Sequence, residues 1–283
     1  MIKESAKQIY GILGYPAKHS LSPLMHNAAF KALNIDAEYR IFEIERNALD
    51  AFFADIFKQD IKGFNITVPY KEEAIRYLDY IHPDARMIAA VNTVKVSGHK
   101  LEGFNTDGAG FIKSLHEDLG FDPKGMKIAV LGAGGASKAI TFALCGLKPR
   151  KIAIYNRDLE KARHLILRLA ENFKDIELKL AARTEDLDIE DADLLVNTTS
   201  VGMAPGDKLL MEPKYLRKGL LVYDLVYNPA CTKLLETARQ KGCRTANGLG
   251  MLLYQGMGSL QIWTGKKAPK SIMEEAIKEG KCL

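Results

Sequence analysis

The sequence predicts an α/β protein of two domains, one of them built on a doubly wound parallel sheet. Three observations predict this. Short apolar runs of strand length alternate with helical patterns along most of the chain. A glycine-rich loop, Gly132-Ala133-Gly134-Gly135-Ala136-Ser137, follows one such run and opens a helix, the context of a Rossmann-like unit. Beyond residue 248 the alternation stops and two helical stretches remain, which can pack back on the first half of the chain. The expected division is a discontinuous domain over 1–106 plus 248–283 and a second over 107–247.

In order, a buried strand is expected over 9–13, then a turn at Gly14-Tyr15-Pro16. Ser22-Pro23 reads as an N-cap followed by proline at the first helical position, opening a helix to about 33 with Met25, Ala29 and Leu33 on one face. Strands are expected over 39–44 and 61–67, with a helix over 49–57 between them. The third strand delivers Gly63-Phe64-Asn65-Ile66-Thr67-Val68-Pro69-Tyr70-Lys71 at its carboxyl end, where open α/β sheets bind ligands. Residues 91–96 and 100–104 read as a hairpin, and Asp107 begins an amphipathic helix to about 119. Strands over 127–131, 151–156, 176–180, 193–197 and 220–225 then follow with helices between most of them. Helices over 248–263 and 271–278 close the chain.

The 283 residues are 47% hydrophobic and 27% charged, ordinary for a soluble protein with a sizeable core. The net charge of +5 suits small anions better than nucleic acid, which needs a dense basic stripe. Four scattered cysteines, Cys145, Cys231, Cys243 and Cys282, argue against a disulfide framework and for a reducing compartment. No zinc-type His/Cys spacing occurs, no apolar run approaches a membrane span, and Met1 to Lys7 lack the apolar core of a leader. A cytoplasmic protein with a small-molecule substrate is expected, with neither nucleic acid nor membrane as partner. Monomer and homodimer stay equally open.

In the glycine loop, Gly132 permits a tight turn and Gly134 lets backbone N–H groups approach a pyrophosphate at a helix N-terminus. Ser137 stands at the third position of the pattern, where glycine is usual but a small residue suffices. The next strand ends in Tyr155-Asn156-Arg157, about where a ribose-reading residue belongs. Arginine there can hold a 2′-phosphate by charge-assisted contacts, which favours NADP, and Lys161 can add charge. Asp158 either opposes that phosphate, leaving NAD as a weaker alternative, or caps the following helix.

Lys71 and Asp107 are the candidate reacting groups. A lysine with the ordinary pKa of about 10.4 is protonated at neutral pH and can give a proton to a carbonyl oxygen as hydride reaches the carbon. By itself Lys71, beside Glu72 and Glu73, also reads as a surface lysine, and Asp107 as a helix cap. Sequence spacing does not bring the two together.

These residues resemble the shikimate dehydrogenase family over nearly the whole chain. The resemblance rests on Gly14 to Pro23 with His26-Asn27, on Gly63 to Lys71, on Val91-Asn92-Thr93 and on Gly103 to Gly108. Asn197 to Met203, Tyr227-Asn228-Pro229 and Gly248 to Gln255 extend it in the same order. It implies reversible reduction of 3-dehydroshikimate to shikimate with NADPH, within aromatic amino-acid biosynthesis. It further implies Lys71 as acid/base with Asp107 as partner, and Ser20 and Ser22 on the substrate carboxylate. Asn92, Thr67, Gln255 and Asp107 would hold the ring hydroxyls and reacting oxygen, with Asn65 and Tyr227 lining the pocket. Gly132, Ala133, Gly134, Gly135, Ala136, Asn156, Arg157, Asp158 and Lys161 would hold the dinucleotide, with Leu225 and Gly248 near the nicotinamide. Ala89 replaces a glycine usual in the family before Ala90-Val91-Asn92-Thr93, and Leu225 a common methionine. Two other readings share these motifs: a quinate/shikimate dehydrogenase that accepts NAD, and a non-catalytic metabolite-binding relative.

Overall fold

The structure, a computed structural model, describes residues 7–204 and 206–280. Residues 1–6 and Cys282, read above for a leader and for cysteine pairing, lie outside the described residues. In chain order the elements are β1 (Gln8–Gly14), α1 (Ser22–Ala32), β2 (Ala37–Glu43), α2 (Leu49–Asp55), β3 (Ile61–Ile66), β4 (Tyr80–Ile81), α3 (Pro83–Ile88), β5 (Thr93–Ser97), β6 (Lys100–Phe104) and α4 (Asp107–Glu117). There follow β7 (Lys127–Leu131), α5 (Gly135–Gly146), β8 (Lys151–Tyr155), α6 (Leu159–Asn172), β9 (Glu177–Ala181), β10 (Leu194–Asn197), β11 (Leu221–Asp224), α7 (Lys233–Gln240), β12 (Arg244–Asn247), α8 (Leu249–Thr264) and α9 (Lys270–Glu279).

The chain forms two compact units, Met1–Gly110 with Leu252–Leu283, and Phe111–Met251. The divisions fall inside α4 and α8 rather than ahead of them at 106/107 and 247/248. The first turn of α4 stays with the first unit because Asp107 is bound there by Lys71 and Asn92.

The first unit holds a six-stranded sheet in the order β2-β1-β3-β5-β6-β4. β1 runs parallel to β2 and β3, while β5 is antiparallel to both β3 and β6. Alternation along β1 sends Tyr10 and Ile12 to one face and Leu13 to the other. Tyr10 and Ile12 pack with Met25 and Phe30 of α1 and with Leu260, Trp263, Met273 and Ile277 of the two C-terminal helices. Leu13 packs with Leu49, Phe52 and Phe53 of α2 and with Phe64 and Ile66 of β3. Both faces are therefore covered, which is why β1 reads as a continuous apolar run.

The second unit holds a parallel sheet in the order β12-β11-β10-β7-β8-β9. From β7 the chain winds outward one way through β8 and β9, then returns and winds the other way from β10. This is the doubly wound arrangement expected from sequence, with its switch point between β7 and β10. Ala129 and Leu131 of β7 join Leu195, Val222, Leu234 and Leu235 in one apolar cluster, while Ile128 and Val130, which alternate with them, are buried as well.

Three expectations need correction. Ser22 is the first helical residue of α1 and Leu21 the cap; the Ser20 hydroxyl accepts the Ser22 N–H at 3.2 Å instead. The strand expected from 91 starts at Thr93, because Val91 N–H bonds the Lys71 carbonyl and Asn92 N–H the Phe104 carbonyl. β4 and β12 were not anticipated: one spans only Tyr80–Ile81, the other reads Arg-Thr-Ala-Asn with no apolar run.

His26 on α1 is fully buried, stacked on Tyr39 at 4.5 Å with Trp263 at 5.3 Å, and neither ring nitrogen has a hydrogen-bond partner among the described residues. Burial pushes its pKa from 6.5 down to about 3. Between those values the unfolded chain binds a proton that the folded one refuses. The contribution is complete above the unfolded pKa and is lost as the pH falls through the window, by up to about 1.4 kcal/mol per pH unit. Urea midpoints should fall from pH 7 to pH 5 for the wild-type chain and less steeply for His26→Phe. Parallel pH dependences would assign the slope to other groups.

Candidate active site

Lys71 follows the carboxyl end of β3 by way of the cis Val68–Pro69 peptide. Its backbone carbonyl accepts the Val91 N–H at 2.8 Å, which ties it to the segment leading to Asn92. Its ammonium donates to Asp107 Oδ2 at 2.5 Å, and the two side chains are only 14% and 4% exposed. Lys71 is thus not a solvated surface lysine. Asp107 is not a cap either: it is the first residue of α4, and its own N–H bonds Asn105 Oδ1 at 3.0 Å. In the first turn its charge also meets the positive end of the helix.

Asn92 completes this pair. Its Oδ1 accepts the Thr106 N–H at 2.8 Å, so the amide nitrogen must face the other way. That nitrogen donates to Asp107 Oδ1 at 2.9 Å and lies 3.3 Å from Gln255 Oε1. Ala89 does not disturb it. Alanine takes the left-handed conformation, φ 57°, at the end of α3, which costs about 1–2 kcal/mol relative to glycine. The Asn92 backbone is still held on both sides, its carbonyl accepting the Ile66 N–H at 2.8 Å.

Gln255 is buried on α8, and its Nε2 donates to the Leu252 carbonyl at 2.8 Å. Gly110 of α4 lies against it: a Cβ at position 110 would come within 2.6 Å of the Gln255 nitrogen. Glycine there sets how closely these two helices approach.

Asn65 is occupied on all sides. The Tyr39 hydroxyl donates to its Oδ1 at 2.7 Å, and its Nδ2 donates to the Asn92 carbonyl, Thr93 Oγ1 and Ser259 Oγ at 3.0, 3.1 and 2.9 Å. It acts as a strut between strands and helix. Sequence reasoning missed its partners Tyr39, Thr93 and Ser259, and Thr106, which bonds Asn92. The signal was faint: a serine four residues beyond Gln255 on a helix, and threonines next to Asn92 and Asp107. Thr67 is half-buried just beyond β3, and its N–H bonds the Leu13 carbonyl. Ser20 is half-buried and Ser22 buried where α1 begins. These residues, from Ser20 to Gln255, all lie in the first unit, whereas Tyr227 lies in the second, half-buried in the loop after β11.

The second unit carries the dinucleotide candidates. Gly132 has φ +112°, and a Cβ there would collide with Thr198 Oγ1. Glycine is required at this turn on both counts. Ala133 is buried, Gly134 is exposed with nothing within 4 Å of a Cβ position, and Gly135 and Ala136 open α5. No side chain caps that helix. Ser137 does more than stay small, since its hydroxyl donates to the Gly132 carbonyl at 2.7 Å and closes the loop.

Asp158 caps α6, its carboxylate accepting the Lys161 N–H at 3.4 Å, and Asn156 Nδ2 braces the Asp158 carbonyl at 2.8 Å. Arg157 and Lys161 are exposed, and neither cation has an ion-pair partner among the described residues. Leu225 N–H bonds the Asn197 carbonyl at 2.9 Å, and Gly248 sits so close to Leu225 that a Cβ would collide with its carbonyl. An open helix N-terminus, a tight glycine turn and two uncompensated cations fit a phosphate-rich dinucleotide.

Family models match three stretches of the chain: a shikimate dehydrogenase substrate binding domain over 12–94, a shikimate/quinate 5-dehydrogenase over 115–205, and a shikimate 5'-dehydrogenase C-terminal domain over 248–278. The shikimate dehydrogenase (NADP+) of Methanopyrus kandleri is 41% identical over 98% of this chain and 97% of its own. A shikimate dehydrogenase crystal structure from Aquifex aeolicus superposes with TM-score 0.88 at 40% identity, covering 98% of this chain and 100% of that one. The Thermus thermophilus enzyme, solved with NADP(H) and shikimate, gives TM-score 0.84 at 35% identity over 96% and 99%.

Proposed function

The chain belongs to the shikimate dehydrogenase family, and from that we propose that it catalyses the reversible NADPH-dependent reduction of 3-dehydroshikimate to shikimate. The observation that carries the chemistry is the buried Lys71–Asp107 pair, 2.5 Å apart and braced by Asn92.

When bound, the reduced nicotinamide supplies a hydride to the ketone carbon. Lys71 gives its proton to the ketone oxygen as negative charge develops there, and takes it back from the hydroxyl in the reverse direction. Asp107 holds the ammonium in place and accepts hydrogen bonds from substrate hydroxyls. Ser20 and Ser22 bind the substrate carboxylate by hydroxyl donation. Thr67, Asn92 and Gln255 read the ring hydroxyls and Tyr227 lines the pocket, while Asn65 acts through Asn92 and Thr93. Such a polar wall rejects analogues that leave its groups unpaired, at about 1–3 kcal/mol for each.

Gly132 to Ala136 and the start of α5 hold the pyrophosphate. Asn156 and Arg157 hold the adenine-side ribose and its 2′-phosphate, and Lys161 adds positive charge. Asp158 supports this arrangement from below as the cap of α6, which leaves Arg157 uncompensated. Leu225 and Gly248 flank the nicotinamide. The described cysteines Cys145, Cys231 and Cys243 are free, which supports a reducing compartment and hence the cytoplasm.

A second reading, a dehydrogenase that also turns over quinate with NAD, is favoured by the shikimate/quinate description of the family matched over 115–205. Steady-state rates with shikimate and quinate, each with NADP and NAD, separate the two. The highest kcat/KM is expected for shikimate with NADP; a higher value for quinate with NAD would refute the assignment.

Lys71→Ala should lower kcat by about a hundredfold to ten-thousandfold with a smaller change in KM, because the proton is needed mainly in the transition state. A raised KM with unchanged kcat would remove Lys71 from proton transfer. Arg157→Ala should weaken NADPH by about tenfold to a hundredfold, the worth of one charge-assisted contact, and spare NADH. Equal losses for both cofactors would exclude the 2′-phosphate contact.

A further inference from the structure

The carboxyl end of β11 carries a buried acid that the reaction above does not use. Asp224 is fully buried and meets no cation among the described residues. Three donors converge on it instead. The Thr232 hydroxyl donates to Oδ2 at 2.6 Å, and Asn197 Nδ2 and the Val226 N–H donate to Oδ1 at 2.9 and 3.1 Å.

Each donor belongs to a different segment. Asn197 ends β10 and organises the turn after it: its Oδ1 accepts from the Thr199 N–H and hydroxyl, and its Nδ2 also reaches the Val201 carbonyl at 3.1 Å. Val226 opens the loop after β11. Thr232 caps α7, accepting the Leu235 N–H at 3.3 Å. Gly202, at φ +109°, closes over the group: a Cβ there would lie 3.1 Å from Thr232 Cγ2. The preceding residue, Tyr223, fixes the other face of the strand, its hydroxyl 2.9 Å from Ser114 Oγ and accepting the Met251 N–H at 3.2 Å.

A carboxylate suits this junction because it only accepts. With both N–H donors on Oδ1, an amide would have to put its NH2 on the Thr232 hydroxyl and force that hydroxyl to accept, losing the charged hydrogen bond at Oδ2. Burial opposes the charged form and pushes the acid's pKa up on balance, and the three donors offset part of that cost. A residue needed only for packing would be cheaper apolar.

We propose that Asp224 is a positioning residue for the nicotinamide end of the dinucleotide: it draws the segments 197–203 and 225–229 into one fixed wall beside the switch point. The proposal rests on the reading that Leu225 and Gly248 flank the nicotinamide. Leu225 is held between the Asn197 carbonyl and Gly248, so its place follows the clamp.

The test uses Asp224→Asn, Thr232→Val and Thr232→Ser in the full chain, with NADPH fluorescence titration, steady-state kinetics and competition by 2′,5′-ADP, which carries only the adenine side. Asp224→Asn should weaken NADPH and lower kcat by about tenfold each, the loss of one charged hydrogen bond. Thr232→Val should move both in the same direction, and Thr232→Ser should restore them. The KM for shikimate and the affinity for 2′,5′-ADP should stay within about twofold of wild type. Equal weakening of NADPH and 2′,5′-ADP would mark a merely structural role and overturn the proposal. So would wild-type NADPH affinity and turnover in Asp224→Asn, or in Thr232→Val if the first variant does not fold. A wild-type chain that binds NADPH yet leaves shikimate unoxidised would refute the activity alone, because the titrations still decide the role of Asp224.

Discussion

The first unit is arranged around a carboxylate and an ammonium taken out of water. Removing two such charges from solvent costs several kcal/mol for each, and only close contact with complete hydrogen bonding returns it. Asp107 achieves this with one oxygen on Lys71 and the other on Asn92. Asn92 can donate there only because a backbone N–H, that of Thr106, holds its oxygen. The orientation of the charged pair is therefore inherited from the main chain. Asn65, Thr93 and Ser259 extend the same logic outward, each polar group spending its capacity on a neighbour so that the strand ends and α8 meet at one spacing. Preorganisation of this kind is what proton transfer at a fixed position needs.

The second unit meets the opposite electrostatic demand. On the proposed reading the ligand brings the negative charge, which an open helix start and two cations without an ion-pair partner among the described residues would meet. Asp158 illustrates the economy. A carboxylate beside Arg157 could cancel it, yet its hydrogen bond to the Lys161 N–H directs it into α6. The modest net charge of +5 is thus less informative than where individual cations are left without partners.

Much of the architecture was legible because both sheets are covered on both faces. Residues 9–13, 61–67 and 127–131 read as strands since neither face meets water. Asp158 read as a cap because a carboxylate three residues ahead of Lys161 has an N–H to accept. What stayed hidden was of two kinds. Edge elements such as β12 carry no apolar signature. Long-range juxtaposition leaves no local trace: Lys71 and Asp107 are 36 residues apart and meet because β5 and β6 are inserted beside β3. The family resemblance supplied their roles, while the geometry supplied the supporting residues Tyr39, Thr93, Thr106 and Ser259. It also explained the one irregular spot near Asn92, where Ala89 occupies a backbone conformation that glycine adopts more readily.

The covering of β1 has a consequence for biosynthesis. Tyr10 and Ile12 are made well ahead of Leu260, Trp263, Met273 and Ile277, which help to shield them. At translation speeds of about 5–20 residues per second, the stretch from residue 12 to residue 260 takes about 12–50 s, and for that time this side of the nascent sheet has only α1 over it. A chain terminated ahead of α8 would lack Leu260, Trp263, Met273 and Ile277 together and keep only α1 on that side, a fate suited to chaperone capture and proteolysis rather than to partial activity.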